Sequence, residues 1–126
     1  MKQAHDLVTE AKARIQEVTL EQAQAAIQEA DVLVDVREPD EFREGHLSGA
    51  VNIPRGILEF KLSSEPGLSA RDINIVLYCK NSGRSALAAL SLEQMGYLNV
   101  RSISGGYEAW VQGGKPVVTP SLPAFD

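Results

Sequence analysis

The feature that most limits the fold of this chain is an alternation of short apolar runs with segments of helical period. Ile73-Asn74-Ile75-Val76-Leu77-Tyr78 is the strongest run, followed by Val32-Leu33-Val34-Asp35-Val36, Ala50-Val51-Asn52-Ile53 and Val100 to Ile103. Runs this short and this β-branched read as strands buried on both faces, which is how a parallel sheet covered by helices is built. Between them lie the helix signals. Thr19 stands as an N-cap before Leu20 to Ile27, with Glu21 in the first turn. Pro39 suits a first helical position, ahead of a short helix over Asp40 to Glu44 that stops at Gly45. Ile57 to Leu62 predicts a helix, Glu65-Pro66-Gly67 a turn, and Ser85 to Met95 a helix ended by Gly96. A last short helix is expected around Tyr107 to Val111, after Gly105-Gly106. Strands alternating with helices imply an α/β domain with a mostly parallel sheet.

A chain of 126 residues suits one domain. Leu7, Val8, Ala11 and Ile15 recur at helical spacing, so residues 1–16 are expected to form a helical extension, with the domain proper over 17–118. The segment from Pro116 onward holds three prolines and predicts an extended, partly loose end, with 119–126 as a tail. The formal charge of −5 argues against a nucleic-acid or anionic-membrane partner. A small anion would need local cations to approach. No apolar run nears the ~18 residues of a membrane span, and Met1 to Asp6 opens a charged, amphipathic stretch. The default expectation is a cytoplasmic protein. The single cysteine forms no internal disulfide. One cysteine and two distant histidines make a poor metal site, so neither metal nor cofactor is expected.

That cysteine, Cys79, follows the strongest strand. Cys79-Lys80-Asn81-Ser82-Gly83-Arg84 reads as a six-residue turn, with a helix from Ser85. A loop that curls into a helix start aims several backbone N–H groups and the positive end of the helix dipole at one point. Lys80 and Arg84 add positive charge, and such surroundings favour thiolate over thiol. A lone cysteine at the end of an apolar strand is otherwise a small buried hydrophobe. The loop, its cations and the following helix tip the reading toward a reactive nucleophile.

Other candidates stand beside less demanding readings. Asp35, Arg37 and Glu41 follow a buried strand and are expected to form a charge network tying loops near the site, not to do chemistry. His46 sits in a Gly-His-Leu turn and is read as a structural hydrogen bonder instead of the base of a Cys-His pair. Arg55, after Ile53-Pro54, borders the mouth of the site or is surface charge.

Three segments resemble the rhodanese family over roughly Val18 to Val118. Leu33 to Phe42 with Gly45 to Pro54 is similar to its D-x-R-x-x-x-E-[FY] and G-H-[IL]-x-G-A-x-[NH]-[IL]-P signatures, Tyr78-Cys79 through Ala86 to its active-site loop, and Gly105 to Trp110 to its G-G-x-x-x-W close. The resemblance implies a three-layer α/β/α fold around a parallel five-stranded sheet. It also implies sulfur transfer: Cys79 takes the outer sulfur of a donor such as thiosulfate and passes it to a thiophilic acceptor, cyanide or a thiol. Lys80, Asn81, Ser82, Gly83, Arg84 and Ser85 then correspond to the loop that binds the donor anion. The C-x4-R spacing of Cys79 and Arg84 is that of the sulfurtransferases, whereas related phosphatases and arsenate reductases carry C-x5-R. Ser82 departs from the pattern, since many relatives have glycine there. A sulfur-relay module served by a partner protein is the alternative reading, because a lone cysteine has to unload its sulfur onto an external acceptor.

Overall fold

The computed structural model describes residues 1–120. Five strands, β1 (Gln16–Val18), β2 (Val32–Asp35), β3 (Val51–Asn52), β4 (Asn74–Tyr78) and β5 (Asn99–Ile103), form one sheet in the order β1-β5-β4-β2-β3. Every pairing is parallel. Helices α1 (Ala4–Lys12), α2 (Leu20–Glu29), α3 (Pro39–Glu44), α4 (Leu58–Ser64), α5 (Gly83–Gln94) and α6 (Gly106–Gln112) connect and cover it, with 3-10 turns at Arg55–Ile57 and Pro66–Leu68. This is the expected α/β architecture with helices on both sheet faces.

The period of two along β4 sorts the core. Ile75, Leu77 and Cys79 face one way, toward Leu58 and Leu62 of α4 and Ala88, Ala89 and Leu92 of α5. Val76 and Tyr78 face the other way, toward Ala23 and Ala26 of α2 and Trp110 of α6. Each fully buried aliphatic side chain contributes roughly 1.5–3 kcal/mol. A central strand flanked by two such layers is what the continuous apolar run of 73–78 required.

Local signals set the helix starts. Thr19 Oγ1 accepts the Gln22 N–H at 3.3 Å, while Gln22 Oε1 accepts the Thr19 N–H at 3.1 Å, a reciprocal cap for α2. Pro39 occupies the first turn of α3. Gly96, at φ +96°, follows α5 and permits its left-handed exit.

The N-terminal segment departs from its expected form. The helix ends at Lys12 instead of running to Gln16, and Gln16-Glu17-Val18 joins the sheet edge against Arg101, Ser102 and Ile103 of β5. Three residues with one apolar side chain carry no strand pattern of their own. They become a strand by accepting the open edge of β5. Helix α1 lies on α5, its Ala11 fully buried. At the other end, Val118 exchanges backbone bonds with His46 (2.9 and 2.7 Å), and Trp110 Nε1 donates to the Pro116 carbonyl at 2.7 Å. The segment expected to be loose is therefore pinned as far as Val118. Residues 121–126, within the expected tail, lie outside the described residues.

Candidate functional site

Strand β4 delivers Cys79 to the carboxyl end of the sheet, directly before the turn into α5. The helix begins at Gly83, so the turn is Cys79 to Ser82 and Arg84 belongs to the first helical turn, two residues earlier than expected. Helix α6 closes the site from the side. The Tyr107 N–H donates to the Cys79 carbonyl at 2.8 Å and the Glu108 N–H to the Lys80 carbonyl at 2.9 Å. This contact explains the Gly-Gly pair. A Cβ on Gly106, at φ +57°, would lie 2.5 Å from the Cys79 carbonyl oxygen, so only glycine lets the backbones approach.

The sulfur itself is buried, and Cys79 has 0% exposure. The site expected to take up a small anion therefore holds its sulfur sealed from solvent. Cys79 Sγ donates to Ser85 Oγ at 3.5 Å, Ser102 Oγ donates to the same oxygen at 2.8 Å, and Ser85 Oγ donates to the Ser82 carbonyl at 3.2 Å. Two of the loop amides are also taken. Asn81 Oδ1 accepts the N–H groups of Ser82 (2.8 Å) and Gly83 (3.3 Å), standing where an incoming anion would find its donors.

The two cations expected to add positive charge to the loop each lie beside a carboxylate. Arg84 grips Glu41 through two bonds of 2.7 and 3.0 Å. The hydrogen bonds from Arg84 hold the Glu41 carboxyl at about 2, against the opposing effect of partial burial, and Glu41 raises Arg84 in turn. Lys80 is exposed and lies 3.7 Å from Glu108. Glu41 does not pair with Arg37, because Arg37 precedes α3 and has its own partner.

That partner is Asp35, at the end of β2. Arg37 Nε and Nη2 reach the Asp35 carboxylate at 2.7–3.0 Å, and Nη2 also donates to the Gly45 carbonyl at 2.7 Å. Both side chains are buried. Burial pulls the Arg37 guanidinium down, but its bonds and charge contact with Asp35 outweigh this and leave it raised. The guanidinium stacks on Tyr107 of α6 at 4.2 Å, and Asn52 Nδ2 ties the Asp35 and Arg37 carbonyls at 3.0 and 2.9 Å. Tyr78 accepts the Leu47 N–H at 3.1 Å, and burial raises its phenol strongly. Asp35 and Arg37 thus lock β2, α3 and α6 around the end of β4.

His46 Nδ1 donates to the Phe42 carbonyl at 3.0 Å and its ring stacks on Phe42 at 3.7 Å. Arg55 Nη1 donates to Glu59 at 2.8 Å, and the same carboxylate accepts Ser91 Oγ at 2.6 Å. Neither reaches Cys79. A groove of about 340 Å³ runs beside the loop, bordered by Arg37, Glu41, Lys80, Tyr107 and Glu108. A larger hollow of about 710 Å³ lies between β1 and α2 and contains no nucleophile. Among the described residues no group of His, Cys, Asp and Glu is arranged to hold a metal, and no helix is long and apolar enough to cross a membrane.

Two contacts escaped the sequence reading. Ser102 is a buried polar residue whose only trace was its place beside Ile103 in the short strand run Val100 to Ile103. Lys12, on α1, donates to Ser82 Oγ at 2.7 Å across 70 residues of sequence, and nothing local signals it.

Comparison with known proteins agrees with this geometry. The family model of the rhodanese-like domain matches residues 19–113. The chain is 35% identical over 89 residues to a sulfurtransferase of Allochromatium vinosum, covering 71% of this chain and 79% of that protein. It is 40% identical over 95 residues to the chloroplastic thiosulfate sulfurtransferase 16 of Arabidopsis thaliana, covering 66% and 76%. A solved structure from Rhodopseudomonas palustris, described as a protein of unknown function and possible tyrosine phosphatase, superposes with a TM-score of 0.82 at 30% identity, covering 94% and 96%. With the family matched over most of its length and a wholly parallel five-stranded sheet beneath the motifs, the chain belongs to the rhodanese-like domain family and, at that level, is a rhodanese-type sulfurtransferase.

Proposed function

We propose that the protein moves sulfane sulfur from thiosulfate or another persulfide donor to a thiophilic acceptor through a persulfide on Cys79. The observation that carries this reading is the placement of Cys79 Sγ at the end of β4, 3.5 Å from a hydroxyl that is itself held by a buried serine. In the first step the Cys79 thiolate attacks the outer sulfur of thiosulfate. The new S–S bond forms as the old one breaks, and sulfite leaves with the bonding electron pair. In the second step cyanide or a thiolate attacks the terminal sulfur, thiocyanate or a new persulfide departs, and the Cys79 thiolate is restored. No outside oxidant or reductant is needed.

Access requires the loop to part, since Cys79 is buried. Asn81 is exposed, and swinging its amide away frees the Ser82 and Gly83 N–H groups for the donor's oxygens. The Ser85 hydroxyl can then turn from the Ser82 carbonyl to the ionised sulfur. Arg84, committed to Glu41, orients the helix start and is not a free anion ligand. The pairing of both loop cations with carboxylates favours a second reading as well. A partner protein's persulfide, less dependent on cations than thiosulfate dianion, is the preferred donor in that relay.

Intact-mass measurement after incubation with thiosulfate is expected to show a gain of roughly 32 Da that Cys79→Ser abolishes together with thiocyanate formation. Thiocyanate produced by the Cys79→Ser protein would end the assignment. Slow loading by thiosulfate but fast loading by a protein persulfide selects the relay. Release of phosphate from an aryl phosphate without sulfur uptake would replace both readings.

A further inference from the structure

Helix α1 lies outside the span 19–113 shared with the family, yet it touches the candidate site at two points. Val8 packs where a Cβ on Gly83 would stand, 3.6 Å away, and Lys12 Nζ donates to Ser82 Oγ at 2.7 Å. Lys12 also lies 3.6 Å from Glu17 of β1, so its ammonium is held between the sheet edge and the loop. The contact falls on Ser82, the position where the resemblance has glycine, and glycine has no side chain to hold. Ser82 in turn reaches the sulfur. Its carbonyl accepts the Ser85 hydroxyl at 3.2 Å and the Ala86 N–H at 2.9 Å, and Ser85 Oγ is the atom in contact with Cys79 Sγ.

We propose that Lys12 is a positioning residue for the reaction, holding Ser82 so that the turn over Cys79 and the Ser85 hydroxyl beneath it keep their working geometry. Helix α1 is then a part of the site built for a serine-bearing loop. A charge-assisted bond to a half-buried ammonium is stronger than a neutral one, and it is the tie that reaches the Ser82 side chain from outside the loop and its helix. The kinetic part of this proposal rests on the sulfurtransferase reading, and the dynamic part does not.

The test is a double-mutant cycle of Lys12→Met and Ser82→Gly in the full chain, with Lys12→Arg as the conservative variant. Lys12→Met is expected to lower the rate of Cys79 persulfide formation about tenfold, chiefly in kcat, while Lys12→Arg stays within about threefold. In the Ser82→Gly background the Lys12→Met effect should shrink to less than about twofold. Independently, amide hydrogen exchange over residues 80–84 should quicken about tenfold in Lys12→Met, and Lys2→Met, just before α1, should leave it unchanged. Unchanged exchange in Lys12→Met, or effects of the two substitutions that simply multiply, would overturn the proposal. If the wild type takes up no sulfur from any donor, the Cys79 reading falls, and the exchange measurement alone then decides the Lys12–Ser82 tether.

Discussion

Ser85 has one hydroxyl hydrogen and two lone pairs, and the structure uses all three: Cys79 and Ser102 donate to the oxygen while the hydrogen goes to the Ser82 carbonyl. That arrangement suits a thiol. A thiolate or persulfide accepts hydrogen bonds, so the proposed persulfide mechanism requires the Ser85 hydroxyl to turn toward the sulfur. Ser85→Ala removes about 1.5–3 kcal/mol of charge-assisted stabilisation, so persulfide formation should slow by roughly ten- to a hundredfold, measured as the rate of mass gain on Cys79. A rate within twofold of wild type would exclude Ser85 from holding the sulfur. Gly106→Ala acts on the backbone. With a Cβ forced to 2.5 Å from the Cys79 oxygen, it should lower unfolding free energy by about 2–4 kcal/mol in urea denaturation. Cys79 and the Gly-Gly pair were visible in the sequence because one is the lone thiol and the other two adjacent residues without side chains. Ser102 was not, since serine in a strand says nothing about which side chain it will face.

Helix α3 is tied to α5 by Glu41 and Arg84, whose bonds place the Glu41 carboxyl at about 2, below its ordinary 4.5. A carboxyl depressed in the folded state adds stability that is present above the unfolded value and is lost as pH falls from about 4.5 toward about 2. Both side chains are about one-third exposed, so solvent screening reduces the contribution to about 1 kcal/mol. Glu41→Gln should therefore show a shallower loss of thermal stability between pH 4.5 and 2.5 than wild type, and parallel curves would show that the pair contributes nothing there. Reading Asp35, Arg37 and Glu41 as one charged group follows from their closeness in sequence. The actual partition, Arg37 to Asp35 and Arg84 to Glu41, follows from where β2 ends and α5 begins in space. Four strands and six helices announced themselves through apolar runs, helical spacing, caps and glycine stops. The edge strand β1 did not, because its hydrogen bonds come wholly from β5.

The molecule as a whole carries −5, and the cations nearest the loop are paired with carboxylates. Long-range repulsion of a dianionic donor is screened by salt, with a Debye length of about 30 Å at 0.01 M and about 8 Å at 0.15 M. The second-order rate of loading by thiosulfate should rise about two- to fivefold between those concentrations of sodium chloride. A falling rate would show that local cations govern the approach. By itself the sequence determined the layers of this protein, the strand that carries Cys79 and the helix that follows it, because side-chain period, capping and glycine placement act within a few residues. Only the tertiary structure decided that the sulfur rests buried, that Ser102 meets Ser85 beside it and that Lys12 reaches Ser82, because these depend on side chains from separate elements meeting in space, where the packing of α1, β5 and α6 against the loop chooses each partner.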